Sequence, residues 1–288
     1  MKLWKRIAVV PGVLAAGAVL LGAWTGWRSE AHLTGFQPAY RFATAIPTDP
    51  ASIARGAHIA RTRGCFGCHG KALEGEVFDE QPFHAAGRTV APNIGKLAKA
   101  VDPAALEAAI RQGIGHDGRA LYAMPSYNFV NLTDADTAAL IAYLRAAPVK
   151  ESALPAGYLG WKPRWEIATG NDAAIPVFIG QTPLLAHKAD PRPEIRLGEY
   201  LAMTSCNECH GFGLRGDDPW SGEDPRRPPD LAGARGYARA DFIKLMRTGV
   251  PVGGRKLRLM DEVARGRFAH WTDEEVNSIY AYLAQLGQ

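Results

Sequence analysis

Apolar residues recur along this chain at helical spacing, and the same arrangement comes round twice. Leu106, Ala109 and Ile110 fall at i, i+3, i+4 within a segment from Pro103 to Gln112. Phe242, Leu245 and Met246 repeat that spacing in the segment from Asp241 to Arg247. Further on, Thr137, Leu140, Ile141 and Leu144 trace one face, as do Val276, Ile279, Tyr280 and Leu283. The starts are marked too. Asp102 stands before Pro103, Thr133 is followed by Asp136, and Thr272 with Glu275 spells a capping box. Gly113 and Gly249 close the first pair of helices. Little in the body alternates with period two, so the pattern predicts an all-α fold.

The N-terminus follows another rule. Lys2, Lys5 and Arg6 precede a run from Ile7 to Trp27 that holds no charge, and Arg28 and Glu30 follow it. A helix of that length would cover roughly a 30 Å hydrocarbon core. The basic residues ahead of it predict a single-pass transmembrane helix with an exported body, and Trp24 and Trp27 stand where an aromatic belt would lie. A cleaved signal peptide is the rival reading, with an unusually long apolar region and Trp24 directly after Leu21-Gly22-Ala23. Residues 1–30 are assigned to this anchor or signal segment. In both readings the body is exported.

The body is two copies of one unit. The first carries Arg55-Gly56 and runs into Cys65-Phe66-Gly67-Cys68-His69; the second carries Leu197-Gly198 before Cys206-Asn207-Glu208-Cys209-His210. Ala91-Pro92-Asn93-Ile94 answers to Pro228-Pro229-Asp230-Leu231. From Gly113 to Met124 and from Gly249 to Met260 the spacing is the same, eleven residues. The two domains are set at 51–147 and 194–288. Between them, 148–193 is rich in proline and holds Trp161 and Trp165 without a strong period, which predicts a long ordered linker rather than a third domain.

All four cysteines of the 288-residue chain lie in the two pentapeptides, too few for a disulfide scaffold. On one helical turn, two thiols and an imidazole at i, i+3, i+4 can reach two porphyrin vinyl groups and an iron together. Cys65, Cys68, Cys206 and Cys209 are therefore read as thioether anchors of two covalent haem c groups, with His69 and His210 on the iron. A zinc knuckle would place its cysteine pairs close together, a thioredoxin-type pair needs a strand–helix context, and disulfides need no histidine. The sixth ligands are read as Met124 and Met260, from their matching positions. Met203 and Met246 are read as core. Met260 is followed by Asp261-Glu262 where Met124 is followed by Pro125, so a five-coordinate second haem, or one held by His270, stays open. Pro92 and Pro229 are expected to offer a carbonyl to the histidine ring N–H. His58, His84, His116 and His187 are read as surface or supporting residues. Arg61, Arg63 and Lys71 would form either a basic ring near the first haem or ordinary solvated surface. The net charge is only +4 with no basic stripe, which argues against nucleic acid as partner.

On these residues the chain resembles the class I cytochrome c family in tandem, over about 51–147 and 194–288. The resemblance implies that the first and last helices of each domain cross near Gly56 or Gly198, with the haem between histidine and methionine. The missing proline after Met260 departs from the family pattern. Similar dihaem subunits anchor dehydrogenases to the respiratory chain. The expectation is thus an electron-transfer protein rather than an enzyme, on a bacterial inner membrane with its haem domains in the periplasm, serving an unidentified dehydrogenase or oxidase. A dihaem peroxidase and a haem-based gas sensor are the alternatives.

Overall fold

The computed structural model describes residues 2–80, 87–172, 174–216, 228–257 and 259–286. Helix α1 (Lys2–Leu33) is continuous through Pro11. From Pro11 on, where its side chains are described, Val13, Leu14, Val19, Leu20, Trp24 and Trp27 are all exposed. Among the described residues no helix is long and apolar enough to cross a membrane. The run expected to do so begins at Ile7, ahead of the side chains that are described.

The first unit opens with α2 (Pro50–Thr62), whose N-cap Asp49 accepts from Ser52 N at 2.9 Å, and turns at Gly64 into the single turn α3 (Cys65–Cys68). Strands β1 (Glu76–Glu80) and β2 (Gly87–Ala91) pair antiparallel. Then come α4 (Ile94–Ala100) and α5 (Pro103–Gln112), a 3-10 turn over Ser126–Phe129, and α6 (Asp134–Ala146). The linker supplies β3 (Tyr158–Leu159), α7 (Trp161–Thr169) and α8 (Ile175–Ile179). The second unit holds α9 (Pro193–Ala202), the turn α10 (Asn207–His210), a 3-10 stretch over Leu231–Gly236, α11 (Arg239–Thr248), α12 (Leu259–Gly266), a 3-10 turn over Phe268–His270, and α13 (Asp273–Gln285).

Each unit is built on one close crossing of its first and last helices. In the first, α2 packs on α6 so tightly that a Cβ at Gly56 would collide with Ala139 O; in the second, a Cβ at Gly198 would collide with Ser278 O. Ile59 and Ile141 are fully shielded beside the first crossing, and Leu201 and Ile279 beside the second. Burying each such side chain contributes roughly 1.5–3 kcal/mol. One apolar core runs through both units. An arginine expected from neither pattern closes each unit in the same way: Arg111 reaches Leu132 O and Asp134, and Arg247 reaches Trp271 O and Asp273.

One expectation needs correction. The chain is mostly helical but not all-α, since 4% of it is strand and forms a three-stranded sheet in the order β1-β2-β3. A bulge between Val77 and Asp79 breaks the alternation that would have announced β1. The linker carries elements of its own. Its β3 completes that sheet, α7 packs on α1 with Trp24 and Trp165 edge to face at 6.2 Å, and α8 lies on the first unit.

Candidate functional site

The loop that follows each pentapeptide histidine takes the same course in both units. After His69 the chain passes Gly70 in the left-handed region, then Leu73 at φ 64°, and Gly75 N returns to His69 O at 2.8 Å. After His210 it passes Gly211, then Leu214 at φ 56°, and Gly216 N returns to His210 O at 2.9 Å. A left-handed leucine costs about 1–3 kcal/mol and persists only where its surroundings dictate it. Leu73 and Leu214 are each 1% exposed, so burial holds the strained residue in place. The repeated His-Gly-x-x-Leu could have revealed both from sequence.

Each histidine is buried and aimed. His69 Nδ1 lies 2.9 Å from Pro92 O, and His210 Nδ1 lies 2.9 Å from Pro229 O, the contacts expected of those prolines. Burial pushes both imidazoles below the usual histidine range, while the carbonyl contact pulls the other way. A neutral ring that donates from Nδ1 leaves the Nε2 lone pair for a metal. The four cysteines are half-buried, and neither pair is joined by a disulfide. Burial pushes the Cys65 thiol up to about 11 and the Cys206 thiol up to about 12. Among the described residues no group of three or more His, Cys, Asp or Glu could hold a bare metal ion. Each histidine thus offers one ring nitrogen to a metal.

The two methionines stand differently. Met124 is half-buried against the core in the segment ahead of the 3-10 turn, where Ser126 Oγ donates to Ala109 O at 2.7 Å and ties that segment to α5. The linker braces it as well, with Ile175 N on Leu121 O at 3.2 Å and Tyr122 OH on Asp172 at 2.6 Å. Met260 is also half-buried against the core but sits in the first turn of α12 rather than in a loop. The carboxylate of Asp261 is engaged by Arg265. Met203 and Met246 are buried in the core, as expected. His270 lies exposed in a 3-10 turn, His187 bonds Glu199 through Nδ1 at 3.0 Å, and His84 falls outside the described residues.

The sequence did not disclose the seam between the two pentapeptides. Arg63 is 2% exposed, so it is no part of a surface ring. Its Nε donates to Thr204 Oγ1 at 3.2 Å and its Nη1 to Thr62 Oγ1 at 2.8 Å. Arg267 lies against Gly64 and Gly67 of the first pentapeptide region while pairing with Glu208 of the second at 2.7 Å. Asn128 Nδ2 reaches Thr204 O at 3.3 Å, and the rings of Tyr127 and Phe212 meet edge to face at 5.8 Å. His58 Nε2 contacts Glu275 at 2.9 Å, and Tyr200 OH donates to Asp136.

Against this geometry, the cytochrome c family profile matches residues 53–148 and 195–287. The chain belongs to the cytochrome c family. It is similar to the cytochrome c subunit of a quinone alcohol dehydrogenase from Gluconobacter oxydans, at 28% identity over 91% of this chain and 60% of the relative. It is also similar to the fructose dehydrogenase cytochrome subunit of Gluconobacter japonicus, at 25% identity over 84% of this chain and 55% of the relative. The gluconate 2-dehydrogenase cytochrome c subunit of Pantoea cypripedii is a third, at 25% identity over 82% and 60%. The chain spans less than two thirds of the length of these relatives.

Two cytochrome c domains carry two covalent haem c groups. The residues fit the group. Thiols that form no disulfide stand at the spacing two vinyl groups require, and each imidazole is neutral with one nitrogen already committed to a carbonyl. The haem would supply the one-electron couple, and the protein supplies ligation, burial and orientation.

Proposed function

We propose that this chain is a membrane-anchored dihaem electron carrier that takes electrons from a periplasmic dehydrogenase and delivers them to the respiratory chain of a bacterial inner membrane. In this reading His69 and His210 bind the irons from one side, and Met124 and Met260 from the other. Cys65, Cys68, Cys206 and Cys209 hold the porphyrins as thioethers. The observation that carries the proposal is the pair of equivalent histidine turns, in units joined by the Arg63–Thr204 contact. Two redox groups held that way suit relay of single electrons.

The exposed apolar side chains of α1 support an anchor, because a long uncovered apolar face is unfavourable in water. The charge-free run from Ile7 supports the same reading. The relatives are named for dehydrogenases of different substrates, which supports a role in which the partner selects the substrate and the cytochrome does not.

The test is to purify the chain from native membranes with its neighbours and record its spectra. Two low-spin ferric haems, each with the far-red methionine–iron band, are expected, together with haem reduction when the partner's substrate is added. A high-spin haem that reacts with peroxide would instead mean a peroxidase. Release from the membrane by salt alone, without detergent, would count against the anchor.

A further inference from the structure

The seam holds a charge that neither haem site accounts for. A guanidinium stays protonated even when buried, and removing it from water is costly unless anions meet it. Arg63 is met by two hydroxyls, those of Thr62 and Thr204, and by the Tyr200 ring at 5.8 Å. Its Nη2 has no hydrogen-bond partner among the described residues. The acids that act on it are engaged elsewhere: Asp136 of its own unit with Arg55 and Tyr200, and Glu275 of the second unit with His58 and the Thr272 cap. Arg267, by contrast, is paired directly with Glu208. Arg63 therefore has no anion bonded to it, and Glu275 and Asp136 act on its charge only from a distance.

Its position is shared between the two sites. Arg63 lies two residues before Cys65, and the hydroxyl it binds lies two residues before Cys206. Its charge opposes the burial effect at both the Cys65 and the Cys206 thiols.

We propose that Arg63 is a positioning residue for electron transfer, a buried cation common to the two haem sites that raises both reduction potentials together. Each iron loses one unit of positive charge when it accepts an electron, so a fixed neighbouring cation favours the ferrous form. A cation placed between the sites acts on both in the same direction, keeping the pair oxidising without tilting the electron toward one of them. This inference rests on the electron-carrier reading above.

The test is spectroelectrochemical titration of the full chain, with both haems attached, in detergent. In Arg63→Met the ferrous-to-ferric ratio at fixed ambient potential is expected to fall about tenfold at both haems, ~59 mV for a one-electron couple. Arg63→Lys, which keeps the charge, restores most of it. Glu275→Gln leaves Arg63 in place but removes an anion acting on it, and raises both potentials. Unchanged potentials in Arg63→Met, with only a lower melting temperature, would make Arg63 a structural pin and overturn the proposal. A shift confined to one haem would overturn the shared role. If Arg63→Met does not retain two haems, Glu275→Gln decides, and potentials unmoved there defeat the inference. A high-spin haem in the unmodified protein would instead defeat the electron-carrier reading, and that is seen before any variant is made.

Discussion

Arg63 Nε lies 3.2 Å from Thr204 Oγ1, and the two residues hold equivalent places in the two repeats, six positions ahead of His69 and of His210. The contact lies near the centre of an approximately two-fold seam. Asp136, third residue of α6, receives Tyr200 from the other unit, and Glu275, third residue of α13, receives His58 from the first. Thr204→Val removes the acceptor of a buried charged donor. A loss of about 1–3 kcal/mol is expected from orphaning such a group. Chemical denaturation followed at both haems should register it as an earlier transition in both units, because one core joins them.

The acids of the seam make its stability depend on pH. Burial tends to raise the Glu275 carboxyl, but the contact with His58 and the Thr272 cap bring it below its ordinary 4.5. Burial also works against Asp136, and Arg55 and Tyr200 overcome it, so that carboxyl lies below 3.8. A carboxyl lowered in the folded state stabilises fully above its unfolded value, and that stabilisation disappears as pH falls through the folded value. The seam is therefore expected to hold unchanged above about pH 5 and to weaken below about pH 4. Denaturation midpoints across that range should drop less steeply in Glu275→Gln.

Gly56 and Gly198 are needed for space rather than for a turn. Alanine at either must push a helix off a backbone carbonyl of its partner. Overpacking of this sort costs about 1–3 kcal/mol, and more where backbone is the obstacle. Gly56→Ala should lower the melting temperature, and the double variant with Gly198→Ala should lower it further. Equal melting of wild type and both variants would mean that the crossings are looser than described.

What could be read in the chain, and what could not, divides along the range of the interaction. The caps at Asp102, Thr133 and Thr272, the helix Pro103–Gln112 with its end at Gly113, and the carbonyls of Pro92 and Pro229 all rest on neighbours or on spacing shared by the repeats. Strand β1 was hidden by its bulge and by charged residues, and it gains its place from β2 and from the linker. Helix α12 was hidden because matching Met260 to Met124 suggested a loop in both. Arg63 is the clearest case: beside Arg61 and Lys71 it resembled solvated surface, yet it is buried and bonded to Thr204 of the second unit. A contact 141 residues apart leaves no trace in local pattern.

The thioether assignment has a direct check. Replacing Cys65 and Cys68 together by alanine should leave one covalent haem per chain, as should replacing Cys206 and Cys209. Intact mass and the pyridine haemochrome of acid-extracted protein would count them. Two haems surviving either replacement would remove the chemical basis assigned to the pentapeptides.

The two methionines should respond differently to their surroundings. Met124→Ala and Met260→Ala are each expected to convert one ferric haem to high spin, with loss of half the far-red band and gain of one cyanide site. The segment holding Met124 depends on the linker through Tyr122 and Asp172, whereas Met260 is carried by its own helix. Tyr122→Phe removes a hydrogen bond to a carboxylate, worth about 1.5–3 kcal/mol. It should speed cyanide binding at the first haem alone and leave the second unchanged. If cyanide entered both haems faster, the brace would act on the whole molecule rather than on the Met124 segment. If Met260→Ala left the spectrum intact while His270→Ala did not, the second iron would draw its sixth ligand from His270.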